Sequence, residues 1–445
     1  MTTLERFLTY VTTHTASSEE TSRTPTTDCQ FTLSRELERE LNELGVSGVC
    51  VDEHAYVYGF LPATPGMENK PSIGLIAHID TIPDFPGENV KPQIIENYDG
   101  GDVVLGSSGR VLSAAMFPHL PSLKGQTLIT TDGTTVLGAD DKAGVAAIMS
   151  ALQTLIEERR PHGRVAVCFT PDEEVGHGAA LLELERLGAD FAYTVDGEEL
   201  EEINFETFNA AGARFAISGV NIHPGSAKNM MVNASHVAME IDAMLPATDR
   251  PEHTEGREGF FHLTEMHGAV DHATLDYIIR DHDAAVFAAR KELLRRAEAR
   301  INEIYGPGTA DHASLSYIIR DHDAAVFAAR KDLLRRVEAR INETYGAGTV
   351  SLTIRDQYRN MAEVLCEHKE VVELAERAIR RVGLTPIRVP VRGGTDGAQL
   401  SFRGLPCPNI GTGGYACHGP YEHITLERLE TAKEIVLGIL DENCQ

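Results

Sequence analysis

Apolar and polar positions along the first half of the chain follow two periods. Segments near residues 4–11, 31–44 and 141–158 repeat apolar residues at helical spacing. Short apolar runs lie between them and predict buried strands, at 49–51, 55–61, 72–77, 128–130 with 136–137, 164–170 and 191–195. Alternating strands and helices predict an α/β fold, with a mixed, largely parallel sheet and helices on both faces.

Histidine or acidic residues follow four of these apolar runs. They are His78 with Asp80, Asp140 with Asp141, Glu173 with Glu174, and Asp196. The ligand crevice of such a sheet lies at the carboxyl ends of its strands, so we expect these side chains to meet at one edge. One such pair is usually a polar strand end, but four in succession favour a functional site.

The adjacent acids Asp140 and Asp141 stand where an apolar run meets a predicted helix. Neighbouring side chains on a turn point in different directions, so we expect one to face the cleft while the other caps the helix. The alternative is that both are capping acids at the helix N-terminus, where negative charge is favoured.

Histidine and carboxylate ligands without thiolates suit zinc, manganese or cobalt. A carboxylate is also able to bridge two ions, and we predict Asp140 as that bridge. His78 and Asp196 would complete the coordination of one ion, and Glu174 with a later histidine would complete that of the other.

Two acids are left over for other tasks. We predict that Asp80 holds the His78 ring in one tautomer. Glu173 should point away from its neighbour Glu174, so it is free to act as general base on a bridging water and then as acid to the leaving amine.

The missing histidine is expected in the glycine-rich loops at 392–397 and 412–419, whose glycines allow the backbone to approach a ligand closely. His418 is the predicted ligand. His423 is the alternative, although its place beside Glu422 is more typical of the surface. His177 is predicted to lie outside the metal site.

The chain of 445 residues is too long for one ordinary domain and favours two. The pattern changes near residue 209, so we predict a catalytic domain from 1–207 and 359–445 with an insert at 208–358. Within the insert, the order strand, helix, two strands, helix, strand predicts a ferredoxin-like α+β arrangement.

A net charge of −27 without a basic block argues against nucleic acid or an anionic membrane as partner. The polar residues 1–27 and the lack of a run of membrane-spanning length predict a cytoplasmic protein. Seven scattered cysteines without a CxxC pair suggest neither a disulfide framework nor a thiolate zinc site. The sequence leaves a homodimer open.

Longer blocks of sequence resemble the peptidase T family, whose members are cytosolic tripeptide aminopeptidases with two zinc ions. The blocks are 77–81, 130–133 with 138–144, 169–176, 193–197, 223–225 with 227–228, 277–281 and 393–398. The resemblance covers nearly the whole chain. It implies small peptides as substrates and two Zn²⁺ ions per subunit, with Co²⁺ or Mn²⁺ as substitutes.

The resemblance also implies roles for individual residues. The metal ligands would be His78, Asp140, Glu174, Asp196 and His418, and the catalytic residues Asp80 and Glu173. These agree with the roles argued above from the residues alone. The resemblance further implies a cis peptide between Asp140 and Asp141.

In the family, the insert is a lid that closes over the substrate. His223, before a Pro-Gly turn, resembles the lid histidine that polarises the scissile carbonyl; an ordinary turn histidine is the alternative. Arg280 and Arg392 resemble the residues that recognise the substrate backbone or its terminal carboxylate, which suits a guanidinium fork.

One feature departs from the family: residues 271–309 recur as 311–349 with six differences. Arg320 therefore repeats Arg280, and both are candidates for one role. The connection at 270–273 is short, which favours the first copy of the strand staying in its hairpin, and the short connection at 346–348 favours the second helix leading into the last strand. Both hold if residues 314–320 enter the lid sheet as a fifth strand. Asp-His-Asp triplets at 281–283 and 321–323 look like metal motifs, but their position favours helix capping.

The sequence thus predicts an aminopeptidase that releases the N-terminal residue of tripeptides by metal-assisted hydrolysis. The related alternative is a dipeptidase, carboxypeptidase or amidohydrolase of the same superfamily. The other alternative is a catalytically impaired metal-binding homologue whose lid is spoiled by the duplication. The complete set of predicted ligands argues against that second alternative.

Overall fold

A computed structural model describes residues 1–243, 245–281, 283–305, 314–317, 351–354 and 359–445. The chain divides into two compact units. The first unit comprises Met1–Phe205, Val364–Val389 and Thr395–Gln445, and the second comprises Glu206–Glu363 with Pro390–Gly394. The predicted pattern did not indicate that residues 390–394 group with the insert.

The strands, in chain order, are β1 (Ser47–Val51), β2 (Val57–Leu61), β3 (Ile73–His78), β4 (Gln93–Ile95), β5 (Val103–Leu105), β6 (Arg110–Leu112), β7 (Leu128–Thr130), β8 (Val165–Thr170), β9 (Phe191–Gly197), β10 (Glu202–Thr207), β11 (Asn209–Ser218), β12 (Phe260–Gly268), β13 (His272–Asp281), β14 (Ser314–Tyr317), β15 (Ser351–Ile354), β16 (Ile387–Val391), β17 (Asn409–Gly411) and β18 (His423–Thr425). The α-helices are α1 (Thr3–Thr12), α2 (Gln30–Glu43), α3 (Ala139–Glu158), α4 (Leu184–Leu187), α5 (Ala234–Ala243), α6 (Ala284–Tyr305), α7 (Ala362–Leu365), α8 (Lys369–Arg381), α9 (Asp396–Phe402) and α10 (Leu426–Asn443).

The main sheet of the first unit has the strand order β1-β2-β8-β3-β9-β17-β10-β16. The four central strands β8, β3, β9 and β17 run parallel, whereas β2 pairs antiparallel with β1 and β8, and β10 pairs antiparallel with β17. The prediction of a mixed, largely parallel sheet is confirmed. Its parallel centre brings the carboxyl ends of β8, β3 and β9 side by side.

Both faces of the main sheet are covered, because side chains along each buried strand alternate between them. Leu75 and Ala77 of β3 pack in a core with α1, α2, α3, α8 and α10. Ile76, between them in sequence, packs on the other face with residues of the α9 region such as Leu400. The helix α3 is buried along most of its length, which explains its run of small and apolar residues from Ala143 to Leu155.

The apolar run at 128–130 does not join the main sheet. It forms β7, which lies between β4 and β18 in a separate antiparallel sheet of three strands. The expectation that four neighbouring strand ends of one sheet carry the polar residues is therefore wrong for Asp140. This residue reaches the site from the first turn of α3, where its own backbone is not helical.

The second unit contains an antiparallel sheet in the order β11-β13-β12. With α5 after β11 and α6 after β13, this is the strand order of a ferredoxin-like βαββα unit, as predicted. In the duplicated region, β14 pairs in parallel with β15. Strand β14 also lies beside β11 of the lid sheet, and most of the second copy lies outside the described residues, so the predicted fifth strand stays a prediction.

Among the described residues, every helix is too short or too polar to cross a bilayer.

Candidate active site

The first unit brings one histidine and several acids together beyond the ends of its central strands. His78 is the last residue of β3, Glu173 and Glu174 follow β8, and Asp196 lies near the end of β9. His78 is almost fully buried, so its ring is fixed between these elements.

Asp140 is the centre of the cluster because its two carboxylate oxygens point at different histidines. Its Oδ1 lies 2.9 Å from Nε2 of His78, and its Oδ2 lies 3.1 Å from Nε2 of His418. Each histidine also faces a second acid: His78 Nε2 lies 3.5 Å from Asp196 Oδ1, and His418 Nε2 lies 3.1 Å from Glu174 Oε2. The structure thus brings together all five residues that the sequence proposes as ligands.

Asp141 is committed to the backbone on the other side of the corner. Its Oδ1 accepts the N–H of Gly144 at 3.1 Å, and its Oδ2 accepts the N–H of His78 at 3.3 Å. It therefore caps the first turn of α3, while Asp140 faces the cleft. The peptide between Asp140 and Asp141 is cis, as the resemblance implies. The carboxylate of Asp141 also lies near His78 and Asp196, and the ligand atoms of these three residues are all within 4.8 Å of one another, close enough to hold an ion.

Asp80 holds the turn that follows β8. Its carboxylate accepts the backbone N–H groups of Glu173 and Glu174, at 3.0 Å and 3.2 Å. Its main-chain carbonyl lies 3.1 Å from Nδ1 of His78, closer than its carboxylate at 3.4 Å. The backbone carbonyl and the carboxylate of Asp80 thus both face Nδ1 of His78, so the side chain shares with the backbone the predicted task of holding the ring.

The ionisable groups of the cluster perturb one another strongly. Hydrogen bonds to Asp140 and Glu174 raise the pKa of His418 to about 11. Burial raises the pKa of Glu174 to about 7 and that of Asp196 to about 6. Burial opposes a charge on His78, but its contacts with Asp196 and Asp140 outweigh burial and raise its pKa. Such mutual perturbation is typical of functional sites.

Glu173 combines burial with an acidic surrounding. Burial, and then the charge of Asp196, raise the pKa of its carboxyl well above the ordinary value. A raised pKa suits a group that must accept a proton near neutral pH. Asp172, the preceding residue, is clamped from the N-terminal segment, since Thr26 N–H and the Gln30 side chain donate to its carboxylate at 2.9–3.0 Å and 2.7 Å.

Sequence reasoning assigned no role to two buried acids near the cluster. Asp396 accepts a hydrogen bond from Thr170 Oγ1 at 2.8 Å, and burial raises its pKa to about 7. Glu422 accepts three backbone N–H groups beside Asp140. The spacing of Glu422 four residues after His418 was the available signal, but a single sequence does not tell a buried carboxylate from an exposed one.

The surface position predicted for His423 is wrong. His423 is fully buried in β18, and its Nε2 lies 2.8 Å from Nε2 of His119. Because Nδ1 of His423 faces the carbonyl of Tyr421 at 2.7 Å, that nitrogen carries the hydrogen, and Nε2 accepts from His119. Its role is packing between β7 and the Tyr415 loop. His177 is exposed and absent from the ion-holding groups found among the described residues, in keeping with its predicted place outside the site.

The three described lid candidates lie in the second unit. His223 is exposed, and its Nδ1 accepts the N–H of Gly225 at 3.1 Å. Arg280 donates to the carbonyl of Arg392 at 2.7 Å, and Arg392 donates to Thr254 Oγ1 at 2.8 Å. The two arginines are therefore neighbours. Arg320, the duplicate candidate, lies outside the described residues.

Helix capping is confirmed for the first Asp-His-Asp triplet. Asp283 accepts the N–H of Val286 at 2.8 Å, and Asp281 binds Arg290 at 2.9 Å. The second triplet at 321–323 lies outside the described residues.

The family model of the peptidase family M20/M25/M40 matches residues 137–442. A protein named peptidase T from Alkaliphilus oremlandii is 46% identical over 441 residues, which cover 98% of each chain. The chain belongs to the peptidase T family. It is therefore an enzyme of the M20 class of peptidases, and its hydrolytic chemistry is that of a metallopeptidase.

Solved structures share the fold of this peptidase T family member. A tripeptidase from Staphylococcus aureus superimposes with a TM-score of 0.72 at 22% identity, covering 99% of this chain and 98% of that one. A protein described as a dinuclear metal-binding peptidase of the M20 family, from Bacillus subtilis, gives a TM-score of 0.57 at 14% identity, with 99% and 98% covered.

Proposed function

We propose that this protein is an aminopeptidase that uses two zinc ions to release the N-terminal residue from tripeptides. One observation carries the proposal: the carboxylate of Asp140 lies between two histidines, and each histidine faces an acid of its own. A shared carboxylate flanked by two such pairs is what a site for two neighbouring ions requires.

The donor atoms fit zinc in type and spacing. Zinc binds histidine nitrogen and carboxylate oxygen at about 2.0–2.2 Å, so two ligands of one tetrahedral ion lie about 3.4 Å apart. The pairs around Asp140 are separated by 2.9–3.5 Å. His78, Asp140 and Asp196 would hold one ion, and Asp140, Glu174 and His418 the other. Manganese or cobalt accept the same donors.

When bound, such ions would polarise a peptide carbonyl and lower the pKa of a water between them toward about 7. The chain supplies the proton transfers. Glu173, with its raised pKa, would take a proton from that water and deliver it to the leaving amine. Asp80 would keep Glu173 and Glu174 in their places through their backbone N–H groups.

The second unit would supply the groups that contact the peptide. Because Nδ1 of His223 accepts a hydrogen bond from Gly225, its Nε2 carries the hydrogen of the neutral ring. His223 is thus prepared to donate to the scissile carbonyl. Arg280 or its duplicate Arg320, together with Arg392, would bind the terminal carboxylate, for which a guanidinium fork is suited.

The choice of tripeptides rests on the relatives. The similar proteins carry the names peptidase T and tripeptidase, and one is described as a dinuclear metal-binding peptidase. The intact ligand and catalytic set favours an active enzyme over an impaired homologue.

Comparison of matched peptides tests this specificity. The zinc-loaded protein should hydrolyse a tripeptide at its first bond. It should act poorly on the dipeptide, the N-acetylated tripeptide and the tripeptide amide. Release of the C-terminal residue, or faster cleavage of the acetylated peptide, would instead identify a carboxypeptidase or an amidohydrolase. Absence of turnover with both ions bound would identify an impaired homologue.

A further inference from the structure

Glu422 is a buried carboxylate in contact with the corner that carries Asp140. It lies just before β18, four residues after His418, and is 1% exposed. Its Oε2 accepts the N–H groups of Leu137 and Gly138 at 2.7 Å and 2.8 Å, and its Oε1 accepts the N–H of Asp140 at 2.9 Å. All three donors lie more than 280 positions earlier in the sequence.

The N-cap residue of α3 offers no side-chain acceptor to the backbone N–H groups at the start of the helix. Gly138 occupies the N-cap position with φ of +78° and has no side chain to accept a hydrogen bond. Backbone N–H groups at a helix start need external acceptors, and a buried one without a partner costs about 1–3 kcal/mol. Glu422 supplies both acceptor atoms from the other end of the chain. A negative charge at this position is also favoured by the helix dipole.

The backbone of Asp140 must be held closely for its side chain to serve both histidines. The two oxygens reach His78 and His418 in different directions, at 2.9 Å and 3.1 Å, so a rotation of the corner that shortens one distance lengthens the other. Groups that orient ligands in this way typically change metal affinity by about 10–100-fold when they are removed.

We infer that Glu422 is a positioning residue for the metal site: it fixes the Asp140 corner so that one carboxylate reaches both ions. The short segment 418–422 thus contributes two residues to the site. His418 is a proposed ligand, and Glu422 holds the backbone of the shared ligand Asp140. The inference rests on the proposed two-ion site.

The variant Glu422→Gln tests this role with almost no change of shape. Glutamine keeps one acceptor oxygen but presents an NH₂ group in place of the other. The NH₂ group would then face either the backbone N–H of Asp140 or the backbone N–H groups of Leu137 and Gly138, and two donors cannot form a hydrogen bond. The matched control is Glu427→Gln, since the exposed carboxylate of Glu427 also accepts a backbone N–H, from Thr127 at 2.8 Å.

The measurement is the dissociation constant of each zinc ion, obtained by competition with a chromogenic chelator. We expect Glu422→Gln to bind both ions about 10–100-fold more weakly, and Glu427→Gln to bind them as the original protein does. Hydrolysis by Glu422→Gln should recover toward the original kcat when zinc is raised to saturation. Unchanged zinc affinity in a folded Glu422→Gln protein would overturn the inference. If the original protein itself binds fewer than two ions, the proposed function fails instead.

Hydrogen exchange on the original protein provides a second test that does not depend on the folding of a variant. The amide hydrogens of Leu137, Gly138 and Asp140 should be strongly protected, and zinc should increase their protection. Rapid exchange of these amides in the zinc-loaded protein would contradict the inference.

Discussion

The backbone N–H of Glu173 donates to Oδ1 of Asp80 at 3.0 Å, which ties the proposed general base to the end of β3. The next N–H, that of Glu174, donates to the other oxygen of the same carboxylate at 3.2 Å. Asp80 thereby holds both Glu173, the proposed general base, and Glu174, a proposed metal ligand. Substitution should still affect the two differently, because of this pair it is Glu174 that lies against His418.

The variant Glu173→Gln should lose hydrolysis but keep its metal. Removal of a general base typically lowers kcat by about 10²–10⁴-fold. Zinc content should stay unchanged, since the glutamine is isosteric and Glu173 is outside the proposed ligand set. Steady-state kinetics together with metal analysis check both points. Glu185→Gln, an exposed acid in α4, is the control. Nearly full activity in Glu173→Gln would remove the proposed base.

Zinc binding should release protons. The pKa of His418 is raised to about 11 by Asp140 and Glu174, so its ring is protonated at neutral pH before binding, and contacts with Asp196 and Asp140 raise the pKa of His78 as well. A histidine ligand must be neutral, so at least one proton should leave per chain and the zinc affinity should fall as the pH falls. Calorimetry in buffers of different ionisation enthalpy counts the released protons. A heat of binding independent of the buffer would contradict this prediction.

The buried pair of His423 and His119 predicts a loss of stability in mild acid. Burial lowers the pKa of His423 from 6.5 to about 4, so between these values the unfolded chain binds a proton that the folded protein does not. The contribution is therefore complete above pH 6.5 and declines as the pH falls toward 4, by about 3 kcal/mol in total.

Urea unfolding at two pH values checks this contribution. Between about pH 7 and pH 5, the free energy of unfolding should fall by about 2 kcal/mol less in His423→Gln than in the original protein. An equal fall in both proteins would show that His423 does not titrate as its burial requires.

The contact between α3 and β9 leaves no room for a side chain at Gly144. A Cβ there would overlap the carbonyl oxygen of Val195 and would lie 2.5 Å from Oδ1 of Asp141. The variant Gly144→Ala should therefore lower the free energy of unfolding by about 1–3 kcal/mol or more. It should also weaken zinc binding, since Asp196 directly follows Val195. Chemical unfolding and metal competition measure the two effects.

Gly393→Ala is the control for that substitution. Its Cβ would make contacts of 3.8 Å, which are ordinary packing distances. Its stability should be close to that of the original protein. A similar loss in both variants would point to the glycine backbone rather than the α3–β9 contact.

Much of the site could be predicted because its parts carry local signals. Apolar runs that end in His78, Glu174 or Asp196 mark strand ends wherever the strands lie in the sheet. Parallel neighbours then bring those ends together. The buried β7 gave the same local signal, although it belongs to another sheet. Strand periodicity reports burial and does not identify the neighbouring strand.

The residues that sequence reasoning missed act over long separations. Glu422 looked like a surface acid beside His423, because only the fold brings it under Gly138. Asp80 was expected to act on His78 through its side chain, and its carboxylate faces that ring but also accepts the backbone N–H groups of Glu173 and Glu174. Backbone N–H groups are identical at every position, so the sequence carries no sign of which of them a distant carboxylate will accept.

Stepwise addition of zinc to the metal-free protein tests the central claim most directly. Bound zinc and the initial rate of tripeptide hydrolysis should be measured on the same samples. The shared position of Asp140 predicts two ions per chain, with hydrolysis reaching its maximum only when the second ion is bound. Full hydrolysis with a single ion, or with none, would contradict the two-ion site.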